Sequence, residues 1–95
     1  MNLPIIVECD AGECAYNANN QCHAAAITIG DGITPNCDTF FAASQKGGIA
    51  NIRGEVGACR VSACRHNKML ECTASGGVHM GHHGSEVDCL TYMAS

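Results

Sequence analysis

Cys9, Cys14, Cys22 and Cys37 are spaced C-x4-C-x7-C-x14-C, and Cys59, Cys64, Cys72 and Cys89 repeat that rhythm as C-x4-C-x7-C-x16-C. The chain is one four-thiol unit written twice. The duplication extends beyond the sulfurs: Asn17 answers to Asn67, Ala24 to Ala74, Ile27 to Val78, Ile29 to Met80, Gly30 to Gly81, Thr39 to Thr91 and Phe40 to Tyr92. A thiol spacing that is kept while most other positions differ implies that the four sulfurs of each unit converge on something.

The repeat divides the 95 residues into a first unit over 1–40, a linker over 41–56 and a second unit over 57–95. Units of this size usually need disulfides, metals or oligomerisation to be stable. The core is also lean, because the apolar fraction of 46% counts eight cysteines and many alanines, and Leu, Ile, Val and Phe together number only 17. Apolar burial contributes about 25 cal/mol per Å² and ordering costs about 1.5 kcal/mol per residue, so such a unit breaks even at best. Covalent or coordinate bonds are expected to supply the difference.

Nine acidic against five basic residues give a formal charge of −4, and no run of Lys or Arg forms a patch that would neutralise phosphates, so nucleic acid is not an expected partner. The segment 1–7 has no basic residue and only a short apolar stretch, which resembles neither a secretory signal nor a membrane span. On this reading the chain is cytoplasmic and has no membrane partner. Reducing compartments keep thiols free, which favours metal over disulfides.

Leu3 to Val7 is β-branched with a proline near its start and reads as an edge strand leading into Cys9. The Asn-dense stretch from Cys14 to Cys22 reads as a compact loop or a single helical turn. Ile27-Thr28-Ile29 and Val78-His79-Met80 alternate as short half-buried strands, each followed by glycine. Residues 31–36 are turn-rich, Asp38 is placed to cap a brief helix over 39–46, and residues 49–56 suit another strand. Ile27, Ile29, Phe40, Phe41, Val78, Met80 and Tyr92 are the expected packing residues between the units.

Zinc is the leading candidate for what the thiols hold, because four thiolates complete the shell of a tetrahedral d10 ion and leave no position open for catalysis. Two ions are expected, one on Cys9, Cys14, Cys22 and Cys37 and one on Cys59, Cys64, Cys72 and Cys89. The alternatives are two disulfides per unit, for which four cysteines allow three pairings, and a mixed or redox-switching arrangement. The tight C-x2-C-x2-C arrangement of a four-iron cluster is absent. His79, His82 and His83, with Met80, form a soft-donor segment that could hold copper, nickel or a further zinc, although a solvent-facing strand is the simpler role for His79. His66, near Cys64, could replace a cysteine ligand or serve in packing. Cys64 near His66 or Cys89 near Asp88 could suggest nucleophilic chemistry, but the repeated pattern absorbs all eight cysteines and no enzyme is expected.

The stretch Cys9-x4-Cys-Ala-Tyr-Asn-x4-Cys-His-Ala-Ala-Ala-Ile-Thr-Ile29 with Cys37-Asp-Thr-Phe40 carries a recognisable motif. Cys59-Arg-Val-Ser-Ala-Cys-Arg-His-Asn67 with Glu71-Cys-Thr-Ala74 and Cys89-Leu-Thr-Tyr92 repeats it. Together they resemble the bacterial family of domains of unknown function numbered 1540. The resemblance covers both units and implies a cysteine-rich, metal-binding module with no activity to transfer.

The expected molecule is therefore a small, cysteine-rich, metal-stabilised protein of two tandem similar units, with short β-hairpins, little helix and internal pseudo-twofold symmetry. Its expected function is a non-enzymatic zinc module presenting a surface to a protein partner. A soft-metal buffer or sensor and a disulfide-stapled surface protein are the competing classes.

Overall fold

A computed structural model describes residues 3–30 and 34–94. The turn expected over 31–36 therefore lies partly outside the described residues. Nine short strands and no helix are present among those described: β1 (Ile6–Cys9), β2 (Asn17–Ala18), β3 (Gln21–Cys22), β4 (Ile27–Ile29), β5 (Val56–Cys59), β6 (Asn67–Lys68), β7 (Glu71–Cys72), β8 (Val78–His83) and β9 (Glu86–Cys89). Each unit folds its Cys-x7-Cys interval into a minute hairpin, β2–β3 in the first and β6–β7 in the second. Their two-residue turns hold both central residues at positive φ, Asn19 and Asn20 in one and Met69 and Leu70 in the other. The primed turns that match strand twist require this backbone, which asparagine adopts readily and bulky residues do not.

The strands that pack the molecule cross between the units. β1 of the first unit runs parallel to β8 of the second, with Ile6 opposite Val78 and Cys9 opposite Met80. Reciprocally, β4 of the first unit runs parallel to β5 of the second, with Ile27 opposite Val56 and Ile29 opposite Cys59. Both ladders slip once, at Val7 and at Gly57, which are equivalent positions of the repeat. Gly77 lets the second-unit backbone approach closely: at φ +85 it seats against the Ile5 carbonyl, and Val78 N donates to that oxygen at 2.9 Å. The half-buried strands foreseen at 27–29 and 78–80 thus form, with partners in the opposite unit.

A pseudo-twofold relation follows from these crossings. Ile5 bridges Glu55 and Asn36 bridges Asp88, each residue meeting its own counterpart. Reciprocal hydrogen bonds flank both points: Ile6 N to Gly54 O and Val56 N to Pro4 O, each 2.9 Å, and Cys37 N to Val87 O and Cys89 N to Pro35 O, each 2.7 Å. The second unit's longer third spacer extends β8 into an antiparallel hairpin with β9, turning at Gly84 and Ser85.

Ile6, Ile29, Val56, Val61 and Val78 are fully buried, and most of the cysteines complete the same core. Each such aliphatic side chain contributes about 1.5–3 kcal/mol by leaving water. Ile27 and Met80 belong to this core, and Phe40 and Tyr92 pack against it, as expected. Phe41 corrects the expectation, since 59% of it is exposed.

The helix expected over 39–46 is absent because its backbone is recruited elsewhere. Phe41 O accepts from Ala15 N at 2.6 Å and Ala43 N donates to Glu13 O at 3.1 Å, so these groups are committed to the first unit's cysteine turn. The strand expected over 49–56 reduces to its last residue, Val56, where β5 begins; Ile49 N instead donates to His23 O at 2.9 Å. No helix among the described residues is long and apolar enough to cross a membrane.

Candidate functional site

The second cysteine of each repeat is placed by the turn before the small hairpin, the third by the hairpin's second strand, the first by a crossing strand, and the fourth by pairing to the crossing strand of its own unit. Cys9 and Cys59 end β1 and β5, Cys22 and Cys72 end β3 and β7, and Cys89 ends β9. Cys37 sits opposite Ile29 in an isolated bridge, as Cys89 sits opposite Met80. Cys14 and Cys64 begin tight turns and bridge Ala42 and Ala94 respectively.

The repeated asparagines and threonines brace this arrangement. Asn17 Nδ2 donates to Cys9 O at 2.7 Å and Asn67 Nδ2 to Cys59 O at 2.8 Å, tying the hairpin entry to the strand that bears the first cysteine. Thr39 Oγ1 accepts from Thr28 N at 3.1 Å and Thr91 Oγ1 from His79 N at 2.9 Å, fixing the chain just after the fourth cysteine. These hydrogen bonds account for the matched Asn and Thr positions of the two repeats.

Each quartet surrounds its own small cavity. One of about 20 Å³ is lined by Cys9, Cys14, Cys22 and Cys37, and one of about 10 Å³ by Cys59, Cys64, Cys72 and Cys89. Neither has room for much more than one water-sized occupant. No cysteine of one repeat borders the other's cavity, yet each cavity is walled partly by the opposite repeat, through Met80 and Val87 for the first and Ile29 and Pro35 for the second.

The electrostatics of the thiols follow from this enclosure. Burial pushes the Cys37 thiol up to about 12 and the Cys89 thiol up to about 11, and raises Cys9, Cys22 and Cys72 as well. The other three thiols of its quartet add to the rise at Cys37, and the same holds at Cys89, which places four sulfurs within mutual electrostatic reach. Opposing this, backbone amides of Ala11, Ala24, Thr39, Ala74 and Thr91 hydrogen-bond Cys9, Cys22, Cys37, Cys72 and Cys89 and favour their ionised forms. Each of these five sulfurs therefore has an amide donor suited to a thiolate in a setting that penalises uncompensated charge. A cation in the cavity reverses the penalty.

All eight cysteines are free thiols. Among the described residues no group of three or more His, Cys, Asp or Glu side chains is placed to hold a metal ion. The donor chemistry of the quartets fits a thiophilic ion, and their sulfurs border a common space without meeting at one point.

The histidines lie outside this arrangement except one. His66 lines the second cavity, at the position Tyr16 holds in the first. His82 stands between two carboxylates of the first repeat, its Nε2 2.6 Å from Glu13 and its Nδ1 3.3 Å from Asp10, and its backbone N–H donates to Asp10 at 2.8 Å. His83 Nδ1 lies 3.2 Å from the buried Asp88, and His79 Nδ1 lies 3.9 Å from Glu8. The three imidazoles thus face three different sets of carboxylates. The segment that carries them is the ordered strand β8 rather than a flexible loop. Asp10 and Glu13 had no signal in the sequence, because their role depends on the crossing of β1 and β8.

No curated protein and no solved structure matches the chain. A family model does, over residues 7–45 and 58–92, which contain all eight cysteines, both asparagines and both threonines described above. The chain belongs to the family described as Domain of Unknown Function DUF1540, of which it carries two tandem copies.

Proposed function

We propose that this protein is a non-enzymatic metal-binding module in which each cysteine quartet closes around one zinc ion. The observation that carries this reading is that all four cysteines of one repeat, and none of the other, line a single ion-sized cavity. Cys9, Cys14, Cys22 and Cys37 would hold one ion, and Cys59, Cys64, Cys72 and Cys89 the other. Four thiolates complete a tetrahedral d10 shell, leaving no position for substrate or activated water, so the ions serve architecture. Structural zinc contributes about 10–16 kcal/mol in small domains, enough to offset a core with so few large side chains.

The rigid product is a surface for a protein partner. Phe41, Met69, Leu70, Leu90 and Met93 remain exposed, and apolar side chains of this kind are what a protein partner would cover. A reducing, cytoplasmic setting would keep the thiols available for metal.

Native mass spectrometry of the untagged chain tests this reading, recorded as purified, after chelation and after reduction. Two zinc ions per chain, with a large loss of stability when they are removed, are expected. More than two ions, or loss of ions with no loss of stability, would make the protein a soft-metal buffer or sensor. An ion-free chain lighter by two hydrogens per disulfide would make it a stapled structural protein.

A further inference from the structure

The pseudo-twofold relation supplies an internal comparison of the two cavities, because every wall position but Ile6 has a counterpart in the other lining. Met80 and Ile29 are such a pair. Met80 is 3% exposed and Ile29 2%; Met80 lines the first cavity and Ile29 the second, each reaching it from the opposite repeat. Their backbone settings agree as well, Met80 lying opposite Cys9 and Cys89, and Ile29 opposite Cys59 and Cys37. The first cavity is therefore walled by a thioether-bearing side chain where the second has a hydrocarbon one. The reverse holds at a second pair, where Tyr16 borders the first cavity and the His66 imidazole borders the second.

These exchanges change the donor set in opposite directions. A thioether is a soft, neutral sulfur donor that complements thiolates toward copper(I), whereas imidazole suits zinc. Being neutral, a thioether in place of one thiolate leaves a monovalent ion with the same net charge that zinc has on four thiolates, whereas four thiolates on that ion would leave more uncompensated charge in a buried space, where it is costly. We infer that the two cavities differ in ion preference: the first exchanges its zinc for a thiophilic monovalent d10 cation of the copper(I) class, Met80 of the opposite repeat taking the place of one thiolate in a four-donor shell, and the second retains zinc. This inference rests on the metal-binding reading of the quartets and makes Met80 the residue that sets the selectivity of a site built by the other repeat.

The test uses the full reduced chain under anaerobic conditions, loaded with zinc and titrated with copper(I), with silver(I) as a second probe. Native mass spectra count the ions, and methyl resonances of the four methionines, labelled with carbon-13, report which thioether is engaged. One ion should exchange before the other, and the Met80 methyl resonance alone should move with that first equivalent. Met80→Leu, close to volume-conserving, should lower the copper(I)-over-zinc preference of the first exchange at least about tenfold, the change that about 1.4 kcal/mol of differential binding produces. Ile29→Met should bring a second methionine methyl into the response and ease the second exchange. If the Met80 methyl stays unmoved, or both ions exchange together with the same preference in wild type and Met80→Leu, the inference fails while the two-ion module stands. A chain that takes up neither zinc nor copper(I) overturns both readings.

Discussion

A β-carbon built on Gly54 would stand 2.8 Å from the sulfur of Cys22 and 3.0 Å from its β-carbon, with the Ala24 carbonyl oxygen 3.2 Å away. Gly54 N also donates to Cys22 O at 2.7 Å, so the backbone on this side cannot withdraw without losing a hydrogen bond. The backbone two residues before β5 thus leaves no room for a side chain beside a first-repeat sulfur. Gly54→Ala is expected to shift that sulfur or its strand, destabilising the protein by about 1–3 kcal/mol through overpacking and weakening the first-repeat ion more than the second. Gly12→Ala is the control, since a β-carbon there meets nothing within 4 Å. Thermal unfolding and ion counting by native mass spectrometry check this, and equal ion retention in the two variants would show that Cys22 is not held by this contact.

The second hairpin turn is built from residues that its backbone does not favour. Met69 and Leu70 sit at φ 55 and 69, where Asn19 and Asn20 occupy the equivalent turn at 55 and 62. Left-handed backbone costs about 1–2 kcal/mol for an ordinary L-residue, and asparagine or glycine largely avoids it. Met69 is 89% exposed, so little burial is lost on replacing it. Met69→Asn combined with Leu70→Gly is expected to stabilise the chain by about 1–2 kcal/mol, read as a higher urea midpoint. A midpoint that falls would mean that these side chains contribute packing not evident from their exposure.

The cysteine spacing made the grouping of the cysteines into two quartets legible in the sequence, because a periodic pattern survives without knowledge of the chain path. The matched residues Asn17 with Asn67 and Thr39 with Thr91 were also visible as repeats, and their hydrogen bonds to Cys9 O, Cys59 O, Thr28 N and His79 N now supply the reason. What the sequence did not carry was the crossing. Ile6 and Val56 lie in runs too short to announce their partners, and nothing local distinguishes pairing within a unit from exchange between units. Phe41 failed as a core residue for a related cause: its carbonyl is claimed by Ala15 N, which fixes the backbone of this segment on the first unit's turn and leaves the ring outside.

Burial sets the pH response of the reduced, metal-free chain. Cys37 is pushed up from 9.0 to about 12 and Cys89 from 9.0 to about 11. Unfolded thiols ionise near the ordinary value, so between about pH 9 and these raised values the folded chain binds more protons than the unfolded one. Stability contributed by the neutral thiols is then complete below pH 9 and is lost as pH rises through that window, by up to about 1.4 kcal/mol per pH unit for each thiol. The zinc-loaded chain should behave oppositely: its ligands are thiolates, protons compete with the ion, and stability falls on acidification. Urea midpoints of both forms between pH 5 and pH 11 should therefore diverge in sign. A metal-free midpoint that does not move above pH 9 would show that these thiols are not enclosed in the folded chain.

The crossed strands make a prediction about how much of the chain can fold alone. Ile6 pairs with Val78 and Ile27 with Val56, so dividing the molecule between residues 48 and 49 removes a partner strand from each half. Each fragment keeps its four cysteines and its hairpin but exposes the backbone edges and the aliphatic side chains that the other half covered. Such small pieces have little burial to spare. Fragments 1–48 and 49–95 are accordingly expected to be disordered separately even with zinc, as judged by amide dispersion in proton–nitrogen spectra. Mixed in equal amounts with zinc, they should reassemble into a one-to-one complex with the dispersion of the intact chain. A fragment that orders only as a pair of its own copies would obey the same rule, because the pseudo-twofold axis lets one repeat stand in for the other. Fragment 49–95 ordered as a zinc-bound monomer would instead establish that each repeat is an independent domain, and the exchange of β1, β4, β5 and β8 would then be incidental to stability.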